Sequence, residues 1–549
     1  MKYLISISAF AITIGASAQP TVGLIQYTTP PSGYLLFAPI ANTHTYLLDP
    51  CGREVHQWNS SYQPGLGAQL QPDGTLYRTG NVNNTIYQGG GRGGVIERWS
   101  WDGDLLWSYA LSNDSLCQHH DFTVLPNGNL LVIAWDRKTG AEAIARGKTP
   151  ALTQDWLLSE RIMELQPTGT NDAVVVWQWK LWDHLVQAFD AGLPNYAVVS
   201  EHPERMNIKF VQGLPTNTDW IHLNGIDYNE ELDQILVSSH AMDEIWVIDH
   251  STTTQEAAGS TGGNSGKGGD LLYRWGNPRA YGRGAMADQR LFGQHHATWL
   301  PEGHTHAGKI LVFNNGLGRP AGQYSSLDII APPVDENGAY EVPATTAYLP
   351  ANVFWSWTAP VPTDFFAQNI SGVFPVEDGF LATDGPEGRF LFIDGNNDIG
   401  WEYINPVNNG GPVAQGSTIA SNSTFRCEHY AADFPGFAGH DLAPGDEIEL
   451  DPIVPSLCVT TSIGHINEEG HPELVEGYPN PANDHFTITG TSIAAVELLD
   501  VNGRSTSLPI SVQGDRCTVD VSKLAVGIYN VRVRSTDGTR TITRLLLAR

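Results

Sequence analysis

Histidine opens several of the apolar runs in this chain. His119 and His120 precede DFTVLPNGNLLVIAWD, His222 begins HLNGIDYN, His295 and His296 precede ATWLP, and His429 sits in STFRCEHYAADF. A neutral imidazole is a competent nucleophile, acid, base or metal ligand near pH 7. A single ring of this kind is more often a satisfied polar residue. Several at equivalent places in sequence-distant units would converge if the units surround an axis. A metal would bring carboxylates or close His-x-His spacing. His304-Thr305-His306 has that spacing but falls in the turn PEGHTHAGK, and Asp121 and Asp183 are the carboxylates nearest the histidine runs. No metal site is expected. FNNGLGR, Phe313–Arg319, is the second feature: a strand ending in Asn314-Asn315 and a glycine turn that delivers Arg319. A planar guanidinium fork suits a tetrahedral oxyanion such as sulfate or phosphate.

The elements that must position these groups are short strands. In Trp220–Asp249 the runs Gly225–Tyr228, Gln234–Val237 and Glu244–Ile248 alternate as an antiparallel meander around an acidic turn. The same unit recurs along the chain. An outer strand ends in Trp, a loop follows, then a strand often opened by His, a Pro-Asx-Gly type of turn and a partner strand. Five or six copies of roughly 70 residues fit between residues 20 and 455. Four-stranded sheets closed around an axis make a β-propeller with only short edges. A pair of β-sandwiches is the alternative, and it explains the Trp and His recurrence less well. The chain is read as all-β.

Net charge is −29, from 59 acidic and 30 basic residues. That balance repels phosphate backbones and anionic membranes, so nucleic acid is not an expected partner. MKYLISISAFAITIGASA reads as a signal peptide over residues 1–18, cleaved before Gln19. Of the five cysteines, Cys427 and Cys458 are the nearest pair in the main domain, and the odd count leaves the pairing open. GSTGGNSGKGG, Gly259–Gly269, reads as a flexible loop projecting from one face. The propeller is expected over 19–460 and a polar acidic linker over 461–477. A small β-sandwich of short alternating strands follows over 478–549.

That last module resembles the type A sorting domain of the type IX secretion system. Tyr478-Pro479-Asn480-Pro481, Asp500-Val501-Asn502-Gly503-Arg504 and Leu524-Ala525-Val526-Gly527-Ile528-Tyr529 carry the likeness. It implies passage across both membranes of a Gram-negative cell, the secretion machinery as partner, and release or surface attachment once the module is removed.

The main domain resembles the aryl-sulfate sulfotransferases over about residues 30–455. The residues are His119–Asn129, Trp182–Gln187, Asp219–Asn224, Gln294-His295, Phe313–Arg319 and Glu428–Ala431. The resemblance implies a six-bladed propeller that moves a sulfuryl group from an aryl sulfate to a phenolic acceptor through a sulfohistidine. No nucleotide donor or other cofactor is implied, which agrees with the absence of a P-loop pattern. His429 would be the nucleophile, with His120 the next candidate because the nucleophile strand matches over only a few residues. His222, His295 and Arg319 would hold the sulfuryl oxygens, while His120, Asn224 and Asn315 bind substrate. Asn314 stands where the family commonly has an acid. A non-catalytic propeller binding an anionic ligand or glycan, and an aryl sulfate hydrolase, are the competing functions. The homodimer question stays open.

Overall fold

The computed structural model describes residues 20–453 except 88 and 212–217, then Cys458 and parts of 476–547. The expected signal peptide and most of the expected linker lie outside the described residues. The chain divides into two compact units between Cys458 and Val459.

The first unit is a β-propeller of six antiparallel sheets. Blade two runs Pro64–Leu70, Leu76–Asn81, Gly94–Trp99 and Leu105–Ala110, and blade three Leu116–Val124, Leu130–Thr139, Trp156–Thr168 and Asp172–Lys180. The meander read from sequence is blade four: Leu223–Asn229, Gln234–Ser239, Glu244–Asp249 and Tyr273–Trp275. Blade five opens with His295–Trp299, and blade six with Gly372–Val376. Blade one closes the ring. Its inner strand, Thr424–Tyr430, pairs with Tyr34–Pro39 from the other end of the chain. Gly23–Tyr27 adds a fifth, outer strand to blade six against Ile399–Ile404. Both terminal segments are thereby held in sheets they do not begin.

The recurrent tryptophans have a physical role. Each blade's fourth strand, counted from the axis, buries an indole whose N–H donates to a carbonyl of the next blade. Trp58 reaches Ser100 (2.9 Å), Trp107 Asp172 (2.9 Å), Trp179 Gly269 (2.7 Å), Trp275 Pro350 (2.7 Å), Trp357 Asn397 (3.0 Å) and Trp401 Pro50 (2.7 Å). A large apolar ring with one polar tip fits this seam, filling the space between sheets while satisfying a loop carbonyl.

The structure answers the open cysteine pairing and corrects the reading of one loop. Cys458 pairs with Cys51, Cα–Cα 5.6 Å, and Cys427 is a buried free thiol. Ring closure brings residue 51 beside 458, so nearness in sequence misleads. The Gly259–Gly269 segment is tied down: the Asp249 carboxylate accepts from Ser265 N at 2.9 Å, and Ser251 Oγ accepts from Asn264 N at 2.7 Å. Glycine there serves tight turns, as at Gly263 (φ 69°), where a Cβ would meet Asp249 at 2.6 Å.

In the second unit, Glu476–Tyr478, His485–Thr489, Arg516–Asp520 and Ile510–Gln513 form one sheet. Ser505–Ser507, Ile493–Leu499, Gly527–Ser535 and Arg540–Leu547 form another. Phe486, Ile488, Val496, Leu498, Val519 and Val531 are buried together.

Candidate active site

The inner strands enter the sheet at one rim of the ring, and there the backbone departs from regular β geometry. His120, His222 and His296 adopt left-handed φ of 50°, 52° and 49°. Such a conformation costs a non-glycine residue about 1–3 kcal/mol and persists where the surroundings impose it. Pairing with the second strand breaks register beside each, between Val132 and Ala134, Leu223 and Gly225, and His295 and Ala297. A bulge re-aims a side chain that the pleat alone would hold on one face.

The result is a row of imidazoles across three blades. Ring centroids lie 4.6 Å apart for His120 and His222, 5.2 Å for His222 and His240, and 5.2 Å for His240 and His295. Each anchored ring is held through Nδ1. His222 Nδ1 lies 2.6 Å from Asp219 Oδ2, and Asp219 also accepts from Trp135 Nε1 at 3.2 Å. His295 Nδ1 faces Asn315 Oδ1 at 2.8 Å and the Gly293 carbonyl at 3.1 Å. Both partners are acceptors, so Nδ1 carries a proton in each ring, and the Nε2 of either ring keeps its lone pair only while that ring is neutral. His120 Nδ1 meets His119 Nδ1 at 2.8 Å, and His119 is clamped between the Trp135 face (4.2 Å) and Glu160 (2.9 Å). Gly89–Gly94 covers this end. A Cβ at Gly91 would sit 1.9 Å from the His120 ring.

Two family models match the sequence. Arylsulfotransferase (ASST) matches residues 48–337, more than half of the chain, and Secretion system C-terminal sorting domain matches 476–547. The chain belongs to the arylsulfotransferase family. Its C-terminal module is a type IX sorting domain, which implies delivery to the cell surface or beyond. Among solved structures, a Bacteroides caccae protein of unknown function is 11% identical, covering 72% of this chain and 98% of its own, with TM-score 0.39. A streptogramin B lyase is 12% identical over 72% and 91%, TM-score 0.31. Apo AztD from Citrobacter koseri is 10% identical over 72% and 97%, TM-score 0.30. No curated protein matches the chain.

Charge in the arylsulfotransferase funnel is set mainly by burial. Burial, with the neighbouring histidines adding, pushes His120 and His295 well below the imidazole range, and takes His119 and His240 down to about 3. His222 goes the other way. Burial alone would lower it, but the Asp219 carboxylate and Glu160 raise it above the ordinary value. The row therefore pairs neutral rings with one that favours its proton. Beneath it lies Arg426, its Nη1 2.8 Å from Asp121 and its Nη2 donating to the Asn224 carbonyl at 3.0 Å, with Nε unpartnered. Gly225 and Gly372 make room for it, since a Cβ at either would approach the side chain to 3.3 and 2.9 Å. Glu428, raised by burial to about 8, and Asp227, raised to about 6, follow along the axis. Among the described residues no group of three His, Cys, Asp or Glu has metal-holding geometry.

Of the residues expected from sequence, the structure brings His120, His222 and His295 together. Asn315 holds His295, its amide donating to the Ala367 and Ile370 carbonyls. Asn224 donates to the Gln294 carbonyl (2.8 Å) and so joins blade four to five. Asn314 donates to Asp328 at 2.8 Å, which supplies a carboxylate beside Arg319. Arg319 itself donates to Ser326 Oγ (2.9 Å) and lies over Tyr324 (4.2 Å) and Phe292 (5.6 Å). His429 stands at the far end of its strand, Nε2 2.6 Å from the Ser32 carbonyl. Phe425, 6.1 Å from His120, marks the rim end of that strand. Four residues of strand separate it from His429, about 13 Å. The sequence reading missed His240, Glu160 and Arg426. His240 follows VSS at a strand end, the one place where the pattern could have exposed it.

Proposed function

We propose that this protein transfers a sulfuryl group from an aryl sulfate ester to a phenolic acceptor by a two-step mechanism through a histidine. The carrying observation is the histidine row, in which a proton-favouring His222 on Asp219 stands two rings from a neutral His295 with a free Nε2. In the first step His295 Nε2 attacks sulfur, the sulfur–phenolate bond breaks, and protonated His222 gives its proton to the leaving oxygen. In the second, His222 takes the proton of the acceptor phenol, whose oxygen attacks sulfur and frees His295. The carrier splits a hard transfer into two easier steps. Arg426 and the rings of His120 and His240 supply fixed dipoles and charge that need no reorganisation.

This reading moves the nucleophile from His429 to His295, because the His429 nitrogen is engaged with a carbonyl away from the row. It gives Arg319, which donates to Ser326 Oγ, no part in either step. Export fits the same scheme: a signal peptide over residues 1–18, and a terminal module whose two sheets close as a sandwich that is cut off after crossing the outer membrane.

The test is phenol release from a chromogenic aryl sulfate with and without a second phenol, in wild type, His295→Asn and His429→Ala. Acceptor-dependent release, lost by at least about a hundredfold in His295→Asn and kept in His429→Ala, is expected. Release indifferent to acceptor would make the protein a hydrolase. No turnover by folded wild type across several donors would leave an anion-binding propeller.

A further inference from the structure

On the rim of blade six, outside the histidine row, a cleft of about 580 Å³ lies between the end of Gly379–Asp384 and the segments before Gly372–Val376 and Thr424–Tyr430. Its charged lining is Asp364, Asp384, Glu387 and Arg389, with Phe366, Ile404 and Ile419 as its apolar part. Arg389 is already committed, its Nε 2.7 Å from Glu402. Its charge also acts on Asp384, so three carboxylates face the cleft against one guanidinium shared with Glu402. Asp384 is the unusual one: it is 4% exposed, and its Oδ1 accepts no hydrogen bond. A buried carboxylate oxygen without a partner carries the full cost of its desolvation, and folds retain such groups chiefly where something else satisfies them.

The position is rigidly built. Gly385 N donates to Ser371 Oγ at 3.0 Å, and the Gly385 carbonyl accepts from Thr424 N at 2.9 Å. The backbone carrying Asp384 is thus fixed by the two strand entries that also frame the funnel. The volume is that of a small-molecule site rather than of a bare ion. No three of the carboxylates are arranged to hold a metal.

We propose that this cleft is a second ligand site that takes an organic cation, an ammonium group on an apolar body. The ammonium pairs with Asp384, Glu387 and Asp364 attract it, and the body packs on Phe366, Ile404 and Ile419. The protein's strong negative charge favours such a ligand at long range. Burial, with the Glu387 charge adding and the Arg389 charge and the Glu387 backbone N–H opposing, raises the Asp384 carboxyl to about 6. Binding that requires its anion strengthens as pH rises through that value and weakens below it.

The probe is phenethylammonium, with neutral 2-phenylethanol as its isostere and calcium chloride as the inorganic arm, titrated calorimetrically into the full chain. The ammonium is expected to bind, the alcohol and calcium not to, and Asp384→Asn to weaken binding about ten- to a hundredfold. Lowering pH from 7 to 5 is expected to weaken it roughly tenfold. Asp384→Asn removes an unsatisfied charge, so its thermal midpoint should equal or exceed wild type, which separates lost binding from lost fold. Glu387→Gln, at the exposed edge, should weaken binding by less. Equal binding of the alcohol, binding of calcium in place of the ammonium, or an Asp384→Asn variant that binds like wild type would each overturn the proposal. None of these readings depends on sulfuryl transfer.

Discussion

At the scale of single residues, the funnel divides labour between histidines through what each Nδ1 touches. Asp219 favours the proton on His222, whereas Asn315 and the Gly293 carbonyl fix one neutral tautomer of His295. Asp219→Asn should therefore lower the pH at which the acid role fails. Because the His222 value is raised in the fold, protonated His222 persists above the ordinary imidazole range, and activity needing that proton falls as pH climbs through the raised value. In the variant this alkaline limb should move down by about one pH unit or more, read from the kcat profile. The same pair stabilises the fold fully below the ordinary imidazole value, and that contribution is lost as pH rises through the raised one. The histidines of the row were visible in sequence because they open apolar runs. His240 and Glu160 were not, since neither begins a strand: one follows Ser239 at a strand end, the other lies within Trp156–Thr168. Nothing local tells such a residue from an ordinary turn or sheet polar group.

Among the elements, bulges and glycines do the aiming. The alternating pattern foretold the inner strands, but a period of two cannot foretell the left-handed residues that turn His120 and His222 toward the axis. Gly91 is a direct test. With φ at 78° and a Cβ clash of 1.9 Å against His120, alanine there must displace the loop or the ring. Gly91→Ala is expected to cut kcat/KM at least about tenfold while the chain still folds, as judged by circular dichroism. The tryptophan seams were half legible. Recurrence of Trp at outer strand ends was plain, but its carbonyl partner in the next blade depends on ring order. Trp401→Phe, which removes the N–H that reaches Pro50 together with the five-membered ring that carries it, should lower stability by about 1–3 kcal/mol in denaturant unfolding, because it leaves a part-buried carbonyl unpaired and a small cavity at the seam.

For the whole molecule, closure is the organising fact. Thr424–Tyr430 pairs with Tyr34–Pro39, Gly23–Tyr27 joins blade six, and Cys51–Cys458 bonds the same two ends across 407 residues of chain. A cross-link over so long a loop restricts the unfolded chain strongly, so Cys51→Ser should lower unfolding free energy by about 2–5 kcal/mol under oxidising conditions and change little under reducing ones. Repeat counting reached the propeller but not its closing register. That is why sequence leaves the partner of Cys458 open and groups His429 with the other histidines. The register set by closure puts Phe425, not His429, at the rim, with Arg426 next below it. Sorting acts at this scale too: deleting residues 476–547 should leave the protein inside the outer membrane, as cell fractionation would show.

The most direct measurement mixes enzyme with an excess of aryl sulfate and no acceptor, quenches at mildly alkaline pH, and maps the modified peptide by mass spectrometry. A single sulfuryl group on the peptide bearing His295, matched by one equivalent of released phenol and discharged by added phenol, is the expected result. Steady turnover with no covalent adduct, or an adduct on His429, would contradict transfer through the histidine row.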